Sequence, residues 1–301
     1  MTRPIIGFVG FGEAARCFCD HFAARDAAEL LVFCDGATNR PPYSPTFRDA
    51  VTTRGARLLD SLDALLAEAE IVFSAVVVAT ALPVGQTIAA GLRPGTLVVD
   101  INASTPRAKR VVAEAVQARG GRFVDANLMG AVSLYGPGVP LYCSGDGAED
   151  FRATFQPLGL TIDLAGTAPG AAAAVKMLRS VVTKGIEALV VEAMTAASLA
   201  GVRQQALQGI CGPMDATSFS QFLDMCLRTD VLHAERRAVE MEGVAEGLRE
   251  LGLEPLMTSA TAARLRASAA LGLKDAFAAM PTYDANVVLD AYAECFGPPP
   301  P

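Results

Sequence analysis

The sequence predicts a mixed α/β protein with a doubly wound parallel sheet, followed by an all-helical domain. Two observations support this prediction. Up to about residue 165, short and continuous apolar segments alternate with helical segments, as in parallel strands that are buried on both faces. Beyond residue 166 the pattern is helical throughout, and it begins with a helix of roughly thirty residues. We therefore expect a Rossmann domain over residues 1–166 and an all-helical domain over residues 167–301, joined by a long interdomain helix.

The elements are expected in a regular order along the chain. The predicted strands cover residues 5–9, 30–34, 71–78, 97–101, 122–125, 141–144 and 161–164. The clearest helical segments between them cover residues 14–24, 62–68 and 107–118. The long helix is predicted over residues 170–200, after a boundary that is marked by Gly159, Gly166, Pro169 and Gly170.

The composition excludes several classes of protein. With 51% hydrophobic and 19% charged residues in a chain of 301, the sequence is not that of a disordered protein. The longest nearly apolar run, residues 71–82, is too short to cross a bilayer, and no leader pattern opens the chain. We therefore expect a cytoplasmic protein with no membrane partner. The net charge is −7 and no tract of lysine or arginine occurs, so no nucleic-acid partner is expected.

Cysteine and histidine are placed in a way that does not favour a metal site. Seven cysteines are scattered along the chain, and only two histidines accompany them. No two cysteines have the C-x-x-C spacing, and no set has the spacing of a zinc site. We therefore expect reduced thiols and no bound metal.

A glycine-rich motif directly follows the first predicted strand and opens a helix. Residues 10–15 read G-x-G-x-x-A, and the expected ligand-binding positions are Gly10, Phe11, Gly12, Glu13 and Ala15. Gly10 permits the tight turn, Gly12 lets the backbone approach a pyrophosphate, and Ala15 lets the helix pack close to the strand. Because the N-terminus of a helix favours an anion, we expect these residues to bind a dinucleotide. The alternative is a glycine turn that binds no ligand.

The end of the second strand indicates which dinucleotide is bound. Asp35 would accept hydrogen bonds from the adenosine ribose and repel a 2′-phosphate, which favours NAD. Arg40 follows closely, and an arginine there could instead bind the 2′-phosphate of NADP. Asp35 could also be only a turn residue before Gly36. The sequence therefore predicts NAD or NADP as the cofactor, with NAD favoured by Asp35.

Two further segments should reach the carboxyl edge of the sheet, where ligands bind in open α/β folds. Val77 and Val78 are expected beside the cofactor, at the exit of the third long strand. On the segment after the next strand, Asn102 is assigned to the cofactor and Ser104 to the substrate. An alternative role for Ser104, or for Thr105, is to cap the following helix, since a proline comes next.

Lysine is rare in this chain, since only Lys109, Lys176, Lys184 and Lys274 occur among 25 basic residues. An arginine keeps its proton in a protein, whereas a partly desolvated lysine can lose it. Lys176 lies near the start of the long helix, where it could reach over a bound nicotinamide. Hydride transfer to a carbonyl needs a proton donor beside the oxygen, so we expect Lys176 to be the catalytic acid and base.

The long helix carries two stripes at helical spacing. We expect a buried apolar stripe, formed by Leu178, Val181, Val182, Ile186, Leu189, Val190 and Ala193. A polar stripe is formed by Lys176, Ser180, Lys184 and Glu187. If this stripe faces a cleft, Ser180 and Lys184 contact the substrate. The alternative is a solvated face with an ion pair between Lys184 and Glu187.

A second charged segment lies in the C-terminal half, over residues 231–248. His233 and Arg237 share one face of a predicted helix there. An arginine beside a histidine suits a carboxylate-bearing substrate, because a guanidinium group forms paired hydrogen bonds with a carboxylate. The alternative is an ion-paired surface helix. His21, in the first helix, is expected to be structural.

The glycine motif, the segment that begins at Asp100, and Lys176 together resemble the β-hydroxyacid dehydrogenase family, the relatives of 6-phosphogluconate dehydrogenase. The resemblance covers nearly the whole chain. Members of this family carry a substrate-binding segment of the form D-x-P-V-S-G-G, and residues 125–131 read D-A-N-L-M-G-A here. The resemblance therefore implies that Asn127, Met129 and Gly130 lie around the substrate and that Lys176 is catalytic.

Two departures from the family pattern concern the substrate. Met129 stands where a serine would bind the substrate carboxylate, and Ser180 stands where an asparagine follows the catalytic lysine by four residues. The C-terminal segment around His233 and Arg237 resembles a branch of the family with an uncharacterised helical domain. Family members associate through the helical domain, so the resemblance implies a homodimer.

The sequence leads to one main functional hypothesis. It predicts an NAD(P)-dependent oxidoreductase that interconverts a hydroxy acid, or a similar anionic alcohol, and its oxo form. One alternative is an imine reductase of the same fold, although that branch usually has another residue type at the position of Lys176. Another alternative is a dinucleotide-binding protein without catalysis, since two residues of the family's substrate site are replaced.

Overall fold

The computed structural model describes residues 3–297, and the N-terminal part of this range is an α/β domain. Its strands are β1 (Ile5–Val9), β2 (Glu29–Phe33), β3 (Arg57–Leu58), β4 (Ile71–Ser74), β5 (Leu97–Asp100), β6 (Arg122–Leu128), β7 (Leu141–Ser144) and β8 (Ile162–Leu164). Its helices are α1 (Glu13–Ala23), α2 (Pro45–Thr52), α3 (Leu62–Glu68), α4 (Val78–Ala90), α5 (Pro106–Gln117), α6 (Val132–Tyr135) and α7 (Ala148–Phe155). Strands and helices alternate, as the sequence predicts.

The eight strands form one sheet in the order β3-β2-β1-β4-β5-β6-β7-β8. Neighbouring strands are parallel, with the exception of the antiparallel pair β6 and β7. The order runs outward in both directions from β1, which defines a doubly wound sheet. The predicted fold class is therefore confirmed.

Apolar side chains cover both faces of the sheet. On one face, Phe8 and Phe73 pack with the aromatic side chains of α1 and α7. On the other face, Leu31, Val72 and Val98 pack with residues of α3, α4 and α5. Successive residues of a strand point to opposite faces, so continuous apolar strands are needed to fill both layers.

Two predicted strands have other limits in the structure. The apolar run at residues 71–78 is strand only to Ser74, and Val78 is already the first residue of α4. The strand predicted at residues 122–125 continues to Leu128, because β7 pairs antiparallel with its last four residues. Helices α2, α4, α6 and α7 and the two-residue strand β3 were not predicted.

The second half of the described range is helical. Its helices are α8 (Ala171–Leu199), α9 (Arg203–Asp215), α10 (Phe219–Glu250), α11 (Leu256–Ala270), α12 (Lys274–Ala278) and α13 (Ala285–Phe296). No strand follows Leu164 within residues 3–297. Among the helices of this range, none has the length and apolar character that crossing a membrane requires.

The chain divides into two compact units, one up to Val181 and one from Val182 onward, so the division falls within α8. The domain boundary at residues 166 and 167 remains a prediction. In the second unit, α10 packs against α11, α12 and α13. Val231, Phe277 and Val288 form a small apolar core there.

The prediction of a buried apolar stripe on α8 is wrong for the single chain. Leu178, Val181 and Val190 are between 50% and 67% exposed, and Val182, Ile186, Leu189 and Ala193 are exposed as well. Helical spacing establishes that such residues share a face, but not that another part of the same chain covers it.

Candidate functional site

The glycine motif forms the turn between β1 and α1. Gly10 has a φ of +91°, and a Cβ atom there would lie 2.3 Å from the carbonyl oxygen of Ala75. Only glycine fits this position. Ala15 is fully buried, and Phe11 is buried with its ring edge-on to Phe47.

The residues of this turn fit a dinucleotide. Gly12 is the N-cap residue of α1, no side chain caps the helix, and a Cβ atom at Gly12 would meet no atom within 4 Å. The space in front of the helix is therefore open, and the first N–H groups of α1 are available to a phosphate. Glu13, the first residue of α1, is exposed beside this space.

The segment after β2 presents both residues that were considered for cofactor selection. Asp35 and Arg40 are exposed. Between them, the N–H of Gly36 donates to the carbonyl oxygen of Asn39 at 2.9 Å, which closes a tight turn. The buried hydroxyl of Tyr43 donates to the carbonyl oxygen of Cys34 at 2.9 Å and so anchors the segment to the end of β2.

The exits of β4 and β5 are joined by one buried amide. Asn102 accepts a hydrogen bond from the N–H of Val76 at 2.7 Å through its Oδ1. Its Nδ2 donates to Ser74 Oγ at 2.9 Å and to Asp100 Oδ1 at 2.7 Å. Val77, at 70% exposed, and Val78, at 60% exposed, lie at the start of α4 next to this junction.

A row of buried polar residues crosses the sheet at this level. Ser74, Asp100, Asp125 and Ser144 are direct neighbours in the strand register, and each is at most 2% exposed. Two carboxylates therefore lie side by side in the interior, where an unpaired charge is strongly unfavourable.

Lys109 supplies the counter-charge for both carboxylates. It lies on α5 and is fully buried. Its Nζ is 3.0 Å from Asp100 Oδ1 and 3.1 Å from Asp125 Oδ1, and it donates to the carbonyl oxygen of Asp100 at 2.8 Å. An ammonium group has three donors, so this group is fully satisfied.

The same row of side chains anchors the start of α8. The N–H of Ala172 donates to Ser144 Oγ at 3.1 Å, and the N–H of Ala173 donates to Asp125 Oδ2 at 2.9 Å. Gly170 has a φ of +89°, and a Cβ atom there would lie 2.6 Å from the carbonyl oxygen of Pro106. The helix N-terminus is therefore held by the protein's own side chains.

Lys176 lies one turn beyond this anchor and is half-buried. Burial lowers the pKa of Lys176 below its ordinary value of 10.5. The positive charges of Lys109 and Arg179 lower the pKa further, whereas the negative charge of Asp125 opposes this change. Ser180 is partly buried one turn later, and its hydroxyl donates to the carbonyl oxygen of Lys176 at 3.0 Å.

Asn127 lies on the same face of β6 as Asp125, two residues nearer to the carboxyl end. Its Nδ2 donates to Asp125 Oδ1 at 2.7 Å. Its Oδ1 is buried and has no hydrogen-bond partner among the described residues. A buried acceptor without a protein donor is rare and is normally satisfied by an ordered water or by a bound group.

The other residues assigned to the substrate fall into two groups. Met129 and Gly130 follow β6 and are partly buried, and a Cβ atom at Gly130 would meet the ring of Tyr135 at 2.7 Å. Ser104 is also partly buried. Helix α5 is capped by Thr105, whose hydroxyl accepts from the N–H of Ala108, so the capping role belongs to Thr105.

Lys184, His233 and Arg237 belong to the second unit. Lys184 and His233 are exposed, and Arg237 donates to Thr229 Oγ1 at 2.9 Å. On the same helix Arg236 pairs with Glu240. The assignment of these three residues to the substrate remains a prediction.

His21 is structural, as predicted, since it is buried and its Nε2 lies 2.8 Å from the carbonyl oxygen of Leu158.

Sequence reasoning missed the group formed by Lys109, Asp125 and Ser144. The motifs did not contain Lys109 or Ser144, and Asp125 was noted only as the first residue of a family segment. A signal was nevertheless present. The predicted strand at residues 122–125 ends in Asp125, and Asp100 is the last residue but one of the predicted strand at residues 97–101. One of only four lysines lies on the helix between these strands.

Comparison with known proteins agrees with the class of protein that this geometry defines, a Rossmann-type dinucleotide-binding protein with a helical C-terminal region. Residues 6–158 match the model of the NAD-binding domain of 6-phosphogluconate dehydrogenase. Residues 197–268 match a domain of unknown function, DUF1932. The chain therefore belongs to the family that carries the 6-phosphogluconate dehydrogenase NAD-binding domain.

Three individual proteins illustrate the similarity. An uncharacterised 28.5 kDa protein of the 7S RNA 5′ region of Methanothermus fervidus is 25% identical over 259 residues, which cover 85% of this chain and 95% of that protein. The conserved protein MTH1747, of unknown function and described as structurally similar to 3-hydroxyacid dehydrogenases, is 28% identical with a TM-score of 0.61. That match covers 88% of this chain and 97% of MTH1747.

The third protein is the imine reductase from Aspergillus terreus in complex with NADPH4 and dibenz[c,e]azepine. It is 17% identical, has a TM-score of 0.72, and the match covers 90% of this chain and 95% of that one. At this identity the likeness shows a shared fold. The family is thus one of NAD-binding, oxidoreductase-like proteins.

Proposed function

We propose that this protein is an NAD(P)-dependent oxidoreductase that interconverts a hydroxy acid, or a similar anionic alcohol, and its oxo form. The observation that carries this proposal is the half-buried Lys176. Its helix is anchored on Asp125, in a row of residues at the carboxyl end of the sheet, where the glycine turn also lies. A nicotinamide dinucleotide bound at this edge supplies or accepts the hydride.

Lys176 moves the proton. Because burial and the neighbouring cations lower the pKa of Lys176, the ammonium group gives up its proton more readily than an ordinary lysine. In the reductive direction it donates that proton to the developing alkoxide oxygen. In the oxidative direction the neutral amine takes the proton from the hydroxyl group.

The substrate is bound beside this lysine. Asn127 offers a buried acceptor oxygen to a hydroxyl group, and Ser104, Met129, Gly130 and Ser180 complete the proposed substrate site. Lys176 and the exposed Arg179 both carry positive charge on α8, which favours an anionic substrate. We also retain Lys184, His233 and Arg237 as proposed contacts to its carboxylate.

The cofactor is held by the glycine turn, and Asp35 and Arg40 select between NAD and NADP. We propose NAD, because the exposed carboxylate of Asp35 lies directly after β2 and repels a 2′-phosphate. Asp35→Ala should weaken NADH binding about tenfold and leave NADPH binding unchanged or stronger. If Arg40→Ala instead weakens NADPH binding selectively and Asp35→Ala has no effect, the protein prefers NADP.

Imine reduction is the second candidate function. The observation that favours it is the shared fold with the imine reductase from Aspergillus terreus. A protonated Lys176 favours reduction of a carbonyl, because that reaction needs a proton donor. A cyclic iminium ion already carries its proton and does not need this donor. The hydroxy-acid reaction therefore remains the preferred proposal. A cofactor-binding protein without catalysis is the outcome if no substrate is turned over.

We further propose that the protein is a homodimer and that α8 forms its interface. Val182 and Val191 are both exposed, and nine residues place them on opposite sides of the helix. A helix with exposed apolar residues on two of its sides is normally covered there by other elements. A second copy of the chain supplies the same apolar surface and so covers both.

Oxidation of NADH and NADPH against a panel of short oxo acids, semialdehydes and cyclic imines tests the reaction. We expect turnover with at least one oxo acid or semialdehyde. Turnover with the imines alone would support the imine reductase. Nucleotide binding without turnover of any compound would contradict both enzyme functions.

A further inference from the structure

Lys109 occupies a place in the structure that the proposed reaction leaves unexplained. Of the four lysines, all within the described range, it is the fully buried one, and its three donors meet Asp100 and Asp125. Burial of an ammonium group and two carboxylates is costly, and apolar residues often stabilise a core as well or better. A purely structural contact is therefore a weak reason for this arrangement.

Hydrogen bonds continue from Lys109 in two directions. On one side Asp100 accepts from Asn102, and Asn102 accepts from the N–H of Val76 at the exit of β4. On the other side Asp125 accepts from the N–H of Ala173 in the first turn of α8. The ammonium group thus links the proposed cofactor edge to the helix that carries Lys176.

We propose that Lys109 is a positioning residue: through Asp125 it fixes the first turn of α8, and its ammonium charge acts on Lys176. This inference rests on the proposed role of Lys176, but it concerns a different residue and has its own readout. Lys109 itself is fully buried, so it is not assigned a contact with substrate or cofactor.

The charges around Lys176 predict the direction in which its pKa changes when Lys109 or Asp125 is replaced. The charged groups that act on it are Lys109 on α5, Asp125 on β6 and Arg179 on α8 itself. Loss of the Lys109 charge leaves Asp125 to stabilise the ammonium form, so the pKa of Lys176 rises. Loss of the Asp125 charge leaves the cations, so the pKa of Lys176 falls.

A merely structural role predicts a different pattern. Any substitution that loosens the start of α8 admits water to Lys176 and removes the effect of burial. The pKa of Lys176 would then rise toward its ordinary value in every variant. Opposite shifts in two variants therefore distinguish the proposed role from a structural one.

The experiment is trace acylation of the full-length protein, which labels neutral amines, followed over pH with peptide mass spectrometry. Lys184 is the internal reference, because it is exposed on the same helix. The variants are Lys109→Met, Asp125→Asn and the double variant. Asp125→Asn keeps the pair between Lys109 and Asp100. The double variant keeps the net charge of the wild-type protein, although Asp100 loses its lysine partner.

At pH 8 we expect Asp125→Asn to label Lys176 about threefold faster or more, relative to Lys184, than the wild-type protein does. Lys109→Met should label it about threefold slower or more, and the double variant should lie between the two. Should the two variants that lack Lys109 fail to fold, Asp125→Asn still distinguishes the two roles, because a structural role predicts slower labelling of Lys176 in that variant.

Unchanged or slower labelling of Lys176 in Asp125→Asn would overturn the inference. So would a double variant that labels as fast as Asp125→Asn, since Lys109 would then have no effect of its own. The measurement needs neither substrate nor cofactor. If the wild-type protein turns over no substrate and the labelling order still holds, the proposed function fails and the role of Lys109 stands.

Discussion

Gly10 and Gly12 are separated by one residue, yet their surroundings differ. Gly10 is held at a positive φ against the carbonyl group of Ala75, whereas the space in front of Gly12 is open. The first glycine therefore serves the fold, and the second serves the approach of a ligand.

This difference predicts separate effects of two substitutions. Gly10→Ala places a Cβ atom into a carbonyl oxygen and should lower the free energy of unfolding by about 2 kcal/mol or more. Gly12→Val fills the open space, so it should weaken dinucleotide binding at least about tenfold with a smaller change in stability. Thermal unfolding and nucleotide titration check both. Equal losses of stability would contradict the assignment.

Among individual residues, the sequence indicated those whose position follows from the neighbouring strand or helix. The glycine turn, Asp35 and Lys176 could be proposed as site residues from the sequence, because each has a fixed place relative to a strand or a helix start. Lys109 was not found, because its partners Asp100 and Asp125 come together only when β5 and β6 pair.

At the scale of the elements, α8 is tied to its neighbours at both ends by carboxylates. Asp125 accepts from its first turn, and its own Glu192 accepts from the N–H groups of Met257 and Thr258 at 2.7 and 2.8 Å. Glu192 thereby satisfies the first N–H groups of α11, a helix that has no cap from its own preceding residue.

The Glu192 contact predicts a pH-dependent stability. Burial raises the pKa of Glu192, but the hydrogen bonds from Thr258 and Met257 outweigh burial and lower it below its ordinary value of 4.5. The contribution is therefore complete above pH 4.5 and is lost as the pH falls through the folded-state pKa. Glu192→Ala should cost about 2 kcal/mol at pH 7 and less at pH 4.

Urea unfolding at the two pH values measures this effect. Glu187→Ala is the matched control, because Glu187 is exposed on the same helix. A loss for Glu192→Ala that is the same at both pH values, or no larger than the control's, would contradict the capping role.

The strands were predicted with nearly their observed bounds wherever one continuous apolar segment forms one strand. Prediction failed at residues 71–78, since the apolar residues Val77 and Val78 lie exposed at a helix start. It failed again at residues 126–128, whose strand conformation comes from pairing with β7. In both places tertiary surroundings override the local pattern.

At the scale of the whole molecule, the exposed apolar surface of α8 predicts association. Light scattering should give about twice the chain mass of 31.3 kDa. Val182→Glu combined with Ile186→Glu places two charges on one face of α8 and should give the monomer. Leu134→Glu, at a residue that is 75% exposed outside α8, is the control and should leave the dimer intact. A monomeric wild-type protein would contradict the proposal.

The proposed role of Lys176, proton transfer in a hydride-transfer reaction, is tested by comparing two lysine variants. With the best substrate of the panel, Lys176→Met should lower turnover about a hundredfold or more and leave dinucleotide binding unchanged. Lys274→Met, at an exposed lysine that is not assigned to the substrate, should keep at least a tenth of the wild-type turnover, measured side by side. Turnover by Lys176→Met within a few-fold of the wild-type rate would contradict the catalytic role of Lys176.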